Sequence, residues 1–99
     1  MTTYRSLPFS SECTLKQRPD TVLAEGVPCS VWPTRSRVTL SGLTYDHEGE
    51  VPLKFYEVVR QANVVLVTGD EDYVVVDAQP NQYLPHVALM LRRSRPEGA

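Results

Sequence analysis

Asp46, Glu48 and Glu50 stand two residues apart around His47 and Gly49, inside the stretch Thr34 to Glu50, which reads TRSRVTLSGLTYDHEGE. Alternating carboxylates can hold a hard cation, because such ions take oxygen ligands. A twelve-residue calcium loop, however, needs its Gly and its closing Glu at set positions, and neither is in place here. A solvated acidic loop is the expectation, with an acidic contact surface as the alternative and no metal. His86 follows Pro85. To act on a nucleophile it would need a Ser, Thr or Cys and a third group to orient it. Ser41 and Cys29 are available, but neither sits in a sequence resembling a nucleophile elbow. Asp70, Glu71 and Asp72 are consecutive, which suits a turn and a charged guard against edge-to-edge pairing. Cys13 and Cys29 form no CxxC, and no histidine lies at zinc-finger spacing. Two buried thiols are the expectation. A disulfide between neighbouring strands and a metal site completed by His47 and His86 are the alternatives. No Gly-rich phosphate loop is present. The residues therefore point away from an enzyme and away from any cofactor.

The bulk properties narrow the class. The chain has 99 residues, enough for one domain with one core. It is 41% hydrophobic and 22% charged, like an ordinary soluble domain. Its mean hydropathy is −0.27, and no apolar run approaches the roughly 20 residues that span a bilayer. The N-terminal sequence MTTYRSLPFSS has no apolar signal-peptide core, so synthesis in the cytoplasm and no membrane association are expected. Net charge is −2. A domain that binds nucleic acid through phosphate neutralisation is usually basic, and the one basic cluster here is Arg92, Arg93 and Arg95. Small barrels that bind single strands use surface aromatics in a basic groove. The aromatics here are scattered, without interleaved Lys or Arg.

The elements that would position these residues are strands. Residues 1–11 read as an N-terminal arm, with Tyr4, Leu7 and Phe9 either covering a core edge or docking on a neighbour. Glu12 to Gln17 alternates, with Cys13 and Leu15 on one face. A short strand follows at Thr21 to Leu23, then a turn at Glu25 and Gly26. Val27 to Trp32 is a further strand with Val27, Cys29 and Val31 on one side. Pro28 confines it to an edge or a strand start. Trp32, on the other side, is either a cap on the barrel or an interface anchor, since Trp is enriched in binding hot spots. Residues 34–50 are the least regular; Val38 and Leu40 could form a short strand, and the stretch as a whole reads as a long inserted loop, a length that is usually functional or disordered. Val51 to Val58 favours a strand, with a short helix starting near Pro52 as the alternative. Asn63 to Gln79, NVVLVTGDEDYVVVDAQ, reads as a hairpin. Gly69 supplies the positive φ, and Val64, Leu66, Val74 and Val76 share a face. In the last strand Val87, Leu89 and Leu91 point inward, and His86, Ala88, Met90 and Arg92 outward. Residues 94–99 read as a disordered tail. The fold expected is mainly β: a small antiparallel β-barrel over residues 12–93 with a long inserted loop and flexible termini.

In their order, CTLKQRP, GVPCSVWP, the loop with Tyr45, Asp46 and Gly49, NVVLVTGDEDYVVVDAQP and PHVALMLRRS together resemble the small β-barrel head-completion proteins of tailed bacteriophages. These are the head-closure, stopper or head–tail connector proteins. The resemblance covers roughly Cys13 to Arg93. It implies a structural virion protein of the phage neck, made in the host cytoplasm. Copies would form a ring between the portal or its adaptor and the tail, with packaged double-stranded DNA passing non-specifically through the channel. The long loop would reach into that channel. Carried onto this sequence, the loop candidates are Ser41, Gly42, Thr44, Tyr45, Asp46, His47, Glu48, Gly49 and Glu50. Deleting Thr44 to Gly49 is then expected to leave the barrel folded and let DNA leak. Candidate contacts to neighbours are Tyr4, Phe9, Trp32, Met90 and Arg92. The competing classes are a stand-alone interaction module, such as an inhibitor or accessory subunit, and a single-strand nucleic-acid binder.

Overall fold

The computed structural model describes residues 9–39, 42–81 and 83–94. Tyr4, Leu7, Ser41 and the tail from residue 95 lie outside the described residues. Six strands carry the fold: β1 Ser11–Gln17, β2 Thr21–Val38, β3 Thr44–Pro52, β4 Val64–Thr68, β5 Glu71–Pro80 and β6 His86–Arg93. They form one antiparallel sheet that closes as a barrel in the order β1-β2-β3-β6-β5-β4, with β4 paired back onto β1. Between β3 and β4 come a 3₁₀ turn, Leu53–Phe55, and a one-turn helix α1, Tyr56–Val59.

The core is what inward alternation on these strands requires. Cys13 and Leu15 from β1, Val27 and Cys29 from β2, Val51 from β3, Leu66 from β4, Tyr73 from β5 and Val87, Leu89 and Leu91 from β6 are all buried. Fully burying one such Val or Leu side chain is worth about 1.5–3 kcal/mol. Val59 of α1 joins the same cluster, and Phe55, Tyr56 and Val58 pack against it. The helix thus plugs one end of the barrel. The strand expected over 51–58 stops at Pro52, whose φ of −62° and missing N–H suit the start of a helical turn. The spacing of Phe55 and Val59 is that of a helix face, and tertiary burial settles the choice.

Three further expectations are corrected. First, Glu25 and Gly26 do not separate two strands. Gly26 has φ +64° and lies where the β1–β2 register jumps from Cys13↔Val27 to Leu15↔Ala24. The glycine makes a bulge inside one 18-residue strand. Second, β5 presents Tyr73 and Val75 to the core, not Val74 and Val76. Gly69, at φ +58°, and Asp70 close the turn so that Thr68 pairs with Glu71 and Leu66 with Tyr73. Directly opposite residues share a face, so Val74, opposite Arg92, points outward, and Val76 is the extra residue where the β5–β6 register shifts between Val75 and Asp77. Third, residues 34–50 are not one long loop. β2 runs to Val38 and β3 begins at Thr44. The short connection is closed by hydrogen bonds from Thr39 N–H to the Leu43 carbonyl (2.8 Å) and from Gly42 N–H to the Thr39 carbonyl (2.9 Å). The Thr39 hydroxyl also accepts from Leu43 N–H at 3.1 Å.

Pro28 is tolerated because β3 pairs with β2 only from Ser30 onward, which leaves its nitrogen on a local edge. Cys13 and Cys29 are free and buried. Their thiols share a hydrogen bond, which together with burial holds the Cys13 proton well above the ordinary thiol range. The same bond lowers Cys29, against the effect of its burial.

Candidate interaction surface

Alternation along β3 sends Gly49 and Val51 inward, where both are buried, and Glu48 and Glu50 to the outer wall. β3 is paired on both sides there: Glu48 lies between Trp32 of β2 and Met90 of β6, and Glu50 between Ser30 and Ala88. Met90 in turn faces Asp77 of β5. The outer wall therefore carries a row Trp32, Glu48, Met90, Asp77 across four strands. Trp32 is 39% exposed, and its indole N–H donates to Glu48 Oε1 at 3.3 Å. It does not enter the core. Arg92, two residues beyond Met90 on the same face of β6, is exposed.

Thr44 to Glu50, expected as a channel loop, are thus strand β3: His47 to Glu50 lie in the barrel wall, and Thr44 and Tyr45 continue β3 alongside β2. Gly49 is there for space. A Cβ at this position would lie 2.7 Å from the Ser30 carbonyl oxygen and 3.2 Å from Leu91 Cδ1. Strand alternation in this segment was hard to read because its inward positions are His47 and Gly49, not apolar residues. Of the loop candidates, Gly42 (φ +91°) alone belongs to the connection among the described residues.

Beyond the Pro33↔His47 pair the β2–β3 ladder shifts register, then resumes at Arg37↔Tyr45 and Val38↔Thr44. β6 pairing ends at His47, so this distal ribbon leaves the barrel. It leans over the outer wall, where Val38, Thr39 and Tyr45 line an open cleft of about 210 Å³ with Asp77, Gln79 and Met90. Val38 is 64% and Leu43 48% exposed. Arg35 and Arg37 are exposed, and the ribbon from Pro33 to Tyr45 contains no acidic residue.

Charged and aromatic groups fix the wall around the ribbon. Asp46 Oδ1 lies 2.8 Å from His47 Nδ1 and accepts the Arg93 backbone N–H at 3.3 Å. The His47 ring tilts against Tyr73 at 4.9 Å. Burial raises the Asp46 carboxyl, but the bonds from His47 and Arg93 outweigh it and bring it below the ordinary value. A carboxylate whose pKa is lowered on folding stabilises above its unfolded pKa, and that contribution is lost as pH falls through the lowered folded value. Asp46→Asn is therefore expected to lower the melting temperature at pH 7. Below the Asp46 pKa the variant and the parent should melt alike, which a thermal melt series from pH 7 to 3 would read. Burial, then Glu71, raises the Tyr73 hydroxyl. Arg93 grips Glu71 with two bonds, from Nε (3.0 Å) and from a terminal guanidinium nitrogen (2.9 Å). That bidentate geometry ties the end of β6 to the start of β5.

At the N-terminal end of the described chain, Ser10 N–H donates to Ser30 Oγ at 3.1 Å. Phe9 reaches across β3, its ring 4.8 Å from that of His86. His86 Nδ1 lies beneath it, 3.4 Å from Glu50 Oε1. Phe9 thus covers a wall of its own chain. The pairing of Glu50 with His86 and of Asp46 with His47 was not legible in sequence: the first is cross-strand, and the second is local but its purpose depends on Tyr73 and Arg93. Among the described residues, no group of three or more His, Cys, Asp or Glu side chains is placed to hold a metal ion.

The surface that emerges is a ribbon bearing Arg35, Arg37 and exposed apolar residues over an outer wall carrying Trp32, Met90, Glu48 and Asp77. The chain matches no protein-family model, no curated protein and no solved structure.

Proposed function

We propose that this chain is a structural protein of the tailed-bacteriophage neck. Copies form a ring between the portal or adaptor and the tail, close the DNA-filled head and offer the surface on which the tail docks. The observation that carries the reading is the β2–β3 ribbon. A small closed sheet extends one 18-residue strand beyond its own wall and leaves Val38 and Leu43 exposed at the end. Exposed apolar side chains grouped on a projecting element suit burial against another protein. The order of the sequence motifs that resemble the head-completion family supports the same reading, since the four read as strands fall on β1, β2, β4–β5 and β6, while the one read as a loop falls on β3. The acidic residues Asp46, Glu48 and Glu50 belong to the wall, so the part that reaches a neighbour is the ribbon from Pro33 to Tyr45. Trp32, Met90 and Arg92 supply the adjoining wall contact.

The test is removal of the gene from a phage that carries it. Electron microscopy of the lysate should then show heads and tails unjoined. Intact particles from the deletion would overturn the reading. A narrower expectation concerns the ribbon. Val38→Asp combined with Leu43→Asp should leave stability within about 0.5 kcal/mol per site, as for other exposed positions, yet strongly reduce the copies retained on heads. Trp32→Ala should act in the same direction. Wild-type occupancy in these variants, measured by quantitative mass spectrometry of purified particles, would remove the ribbon and Trp32 from the contact. The same surface favours one other reading, a stand-alone interaction module. Such a protein would bind one soluble partner and would be absent from particles.

A further inference from the structure

The ribbon has a matching surface on the far side of the same molecule. In the closed order β1-β2-β3-β6-β5-β4, β3 and β4 stand three places apart, as do β6 and β1. The ribbon leans over the β3–β6 side, against Met90 and Asp77. The opposite side is the outer face of β1 and β4. There an open cleft of about 280 Å³ is lined by Glu12, Cys13, Thr14, Gly26, Val67 and Gly69. Thr14 and Val67 are paired directly across β1 and β4 and are half-buried. Gly26 and Gly69 add no side chain to fill the space. Glu12 is exposed at the cleft, and so are Glu25 and Asp70, each next in the chain to one of those glycines. Among the described residues no cation lines it. Lys16 and Arg18 line a separate cleft with Asp72.

The two surfaces are opposite in kind. The ribbon projects, carries Arg35 and Arg37 and exposes Leu43. The cleft is recessed, and its rim is acidic. The barrel stands between them, so a ribbon does not reach the cleft of its own chain. Pairing of two ribbons with each other is disfavoured, because Arg35 and Arg37 of one would face those of the other.

We propose that the ribbon of one copy seats in the β1–β4 cleft of the next, with Leu43 in the cleft and Arg35 and Arg37 against Glu12 and Glu25. The inference rests on the reading that the chain works as copies in contact, and it names the surfaces that touch. Burial of Leu43 favours the contact. The charges select the partner and its orientation, which is what complementary charges across an interface chiefly do. Each contact leaves the first copy's cleft and the second copy's ribbon unused. A contact between two different patches therefore repeats head to tail, and it closes as a ring where the rotation between copies allows.

The test compares four forms of the purified full chain by analytical ultracentrifugation at low and high salt. They are the parent, a ribbon variant (Arg35→Glu with Arg37→Glu), a cleft variant (Glu12→Lys with Glu25→Lys) and the chain with all four changes. All four positions are exposed, and circular dichroism checks that each form folds. The parent should self-associate, more tightly at low salt. Each two-site variant should weaken association more than about tenfold, since like charges then face each other. The four-site chain, with its charges exchanged, should regain it. So should a mixture of the two two-site variants, with copies alternating. If a variant does not fold, a cross-linking measurement decides. Leu43→Cys is labelled on the introduced thiol with a photoactivatable benzophenone, and light and heavy-isotope chains are mixed. Cross-links should join two chains and land on residues 12–14, 26 or 67–69. A parent that stays monomeric, two-site variants that associate like the parent, no recovery in the four-site chain, or cross-links elsewhere would each overturn the proposal. A chain that shows the pattern but is absent from phage particles keeps this contact and loses the neck role. Particles labelled at the neck with the pattern missing give the reverse.

Discussion

Gly49→Ala is expected to destabilise the fold by about 1–3 kcal/mol, the usual cost of forcing an extra carbon into a packed site. For a domain of this size each kcal/mol moves the melting temperature by roughly 4–8 °C. The cause is steric and local. The added Cβ would lie 2.7 Å from the Ser30 carbonyl oxygen, 3.2 Å from Leu91 Cδ1 and 3.4 Å from Val31 Cγ2. The closest of these is main chain, held in the β2–β3 ladder by the Ser30↔Glu50 and Val31↔Gly49 pairs, so it cannot swing aside as a side chain would. Relief requires β2 and β3 to separate, which loosens the wall that carries Trp32 and Glu48. Gly49→Val should cost more and bring the protein near the limit of its stability, since small domains hold only about 5–15 kcal/mol in total. A melting temperature of Gly49→Ala within a degree of the parent would show that the strands are not this close.

The second large effect reverses an expectation drawn from sequence. Removing Thr44 to Gly49 should abolish the fold. That segment contributes the pairs Trp32↔Glu48 and Val31↔Gly49 to β2, and Glu48↔Met90 and Gly49↔Leu89 to β6. Without it the closed sheet opens between β2 and β6, and Leu89 and Leu91, now 1% and 0% exposed, lose one side of their packing. Even single Leu-to-Ala truncations at such sites cost about 2–5 kcal/mol. Shortening the connection between Val38 and Thr44 is the contrasting change. It alters a turn whose flanking residues are exposed, and it should leave the melting temperature nearly unchanged while removing the tip of the ribbon. Circular dichroism melts of both deletions read the difference. A folded Thr44–Gly49 deletion would mean that β3 is dispensable to the barrel.

The residues behind these two expectations mark where sequence was and was not readable. β1 and β6 were legible because their inward residues are apolar at every second position, Cys13 and Leu15 on one and Val87, Leu89 and Leu91 on the other. The β4–β5 turn was legible from Gly69 beside Asp70, although which face of β5 goes inward depended on the length of that turn. β3 was hidden because Gly49 serves close backbone approach and His47 tilts against Tyr73, so neither registers as a core position. The unity of β2 was hidden because Glu25 and Gly26 have the composition of a turn, and only the pairing with β1 turns them into a bulge. The helix after Pro52 was ambiguous because Phe55, Tyr56 and Val59 satisfy two periods at once. Of the candidate contact residues, Trp32, Met90 and Arg92 do share the outer wall, as strand alternation implied. Phe9 instead rests on His86 of its own chain, and the acidic row from Asp46 to Glu50 forms a wall in place of a loop.

The proposed role rests on the chain being built into a particle at one place, and labelling that place is the most direct measurement. Particles from a phage carrying the gene would be purified, treated with an antibody raised against the chain and viewed by electron microscopy. The expected result is label confined to the junction of head and tail, one site per particle, absent from particles of a strain lacking the gene. Purified infectious particles that carry no label, and contain none of the chain by mass spectrometry, would contradict the assignment.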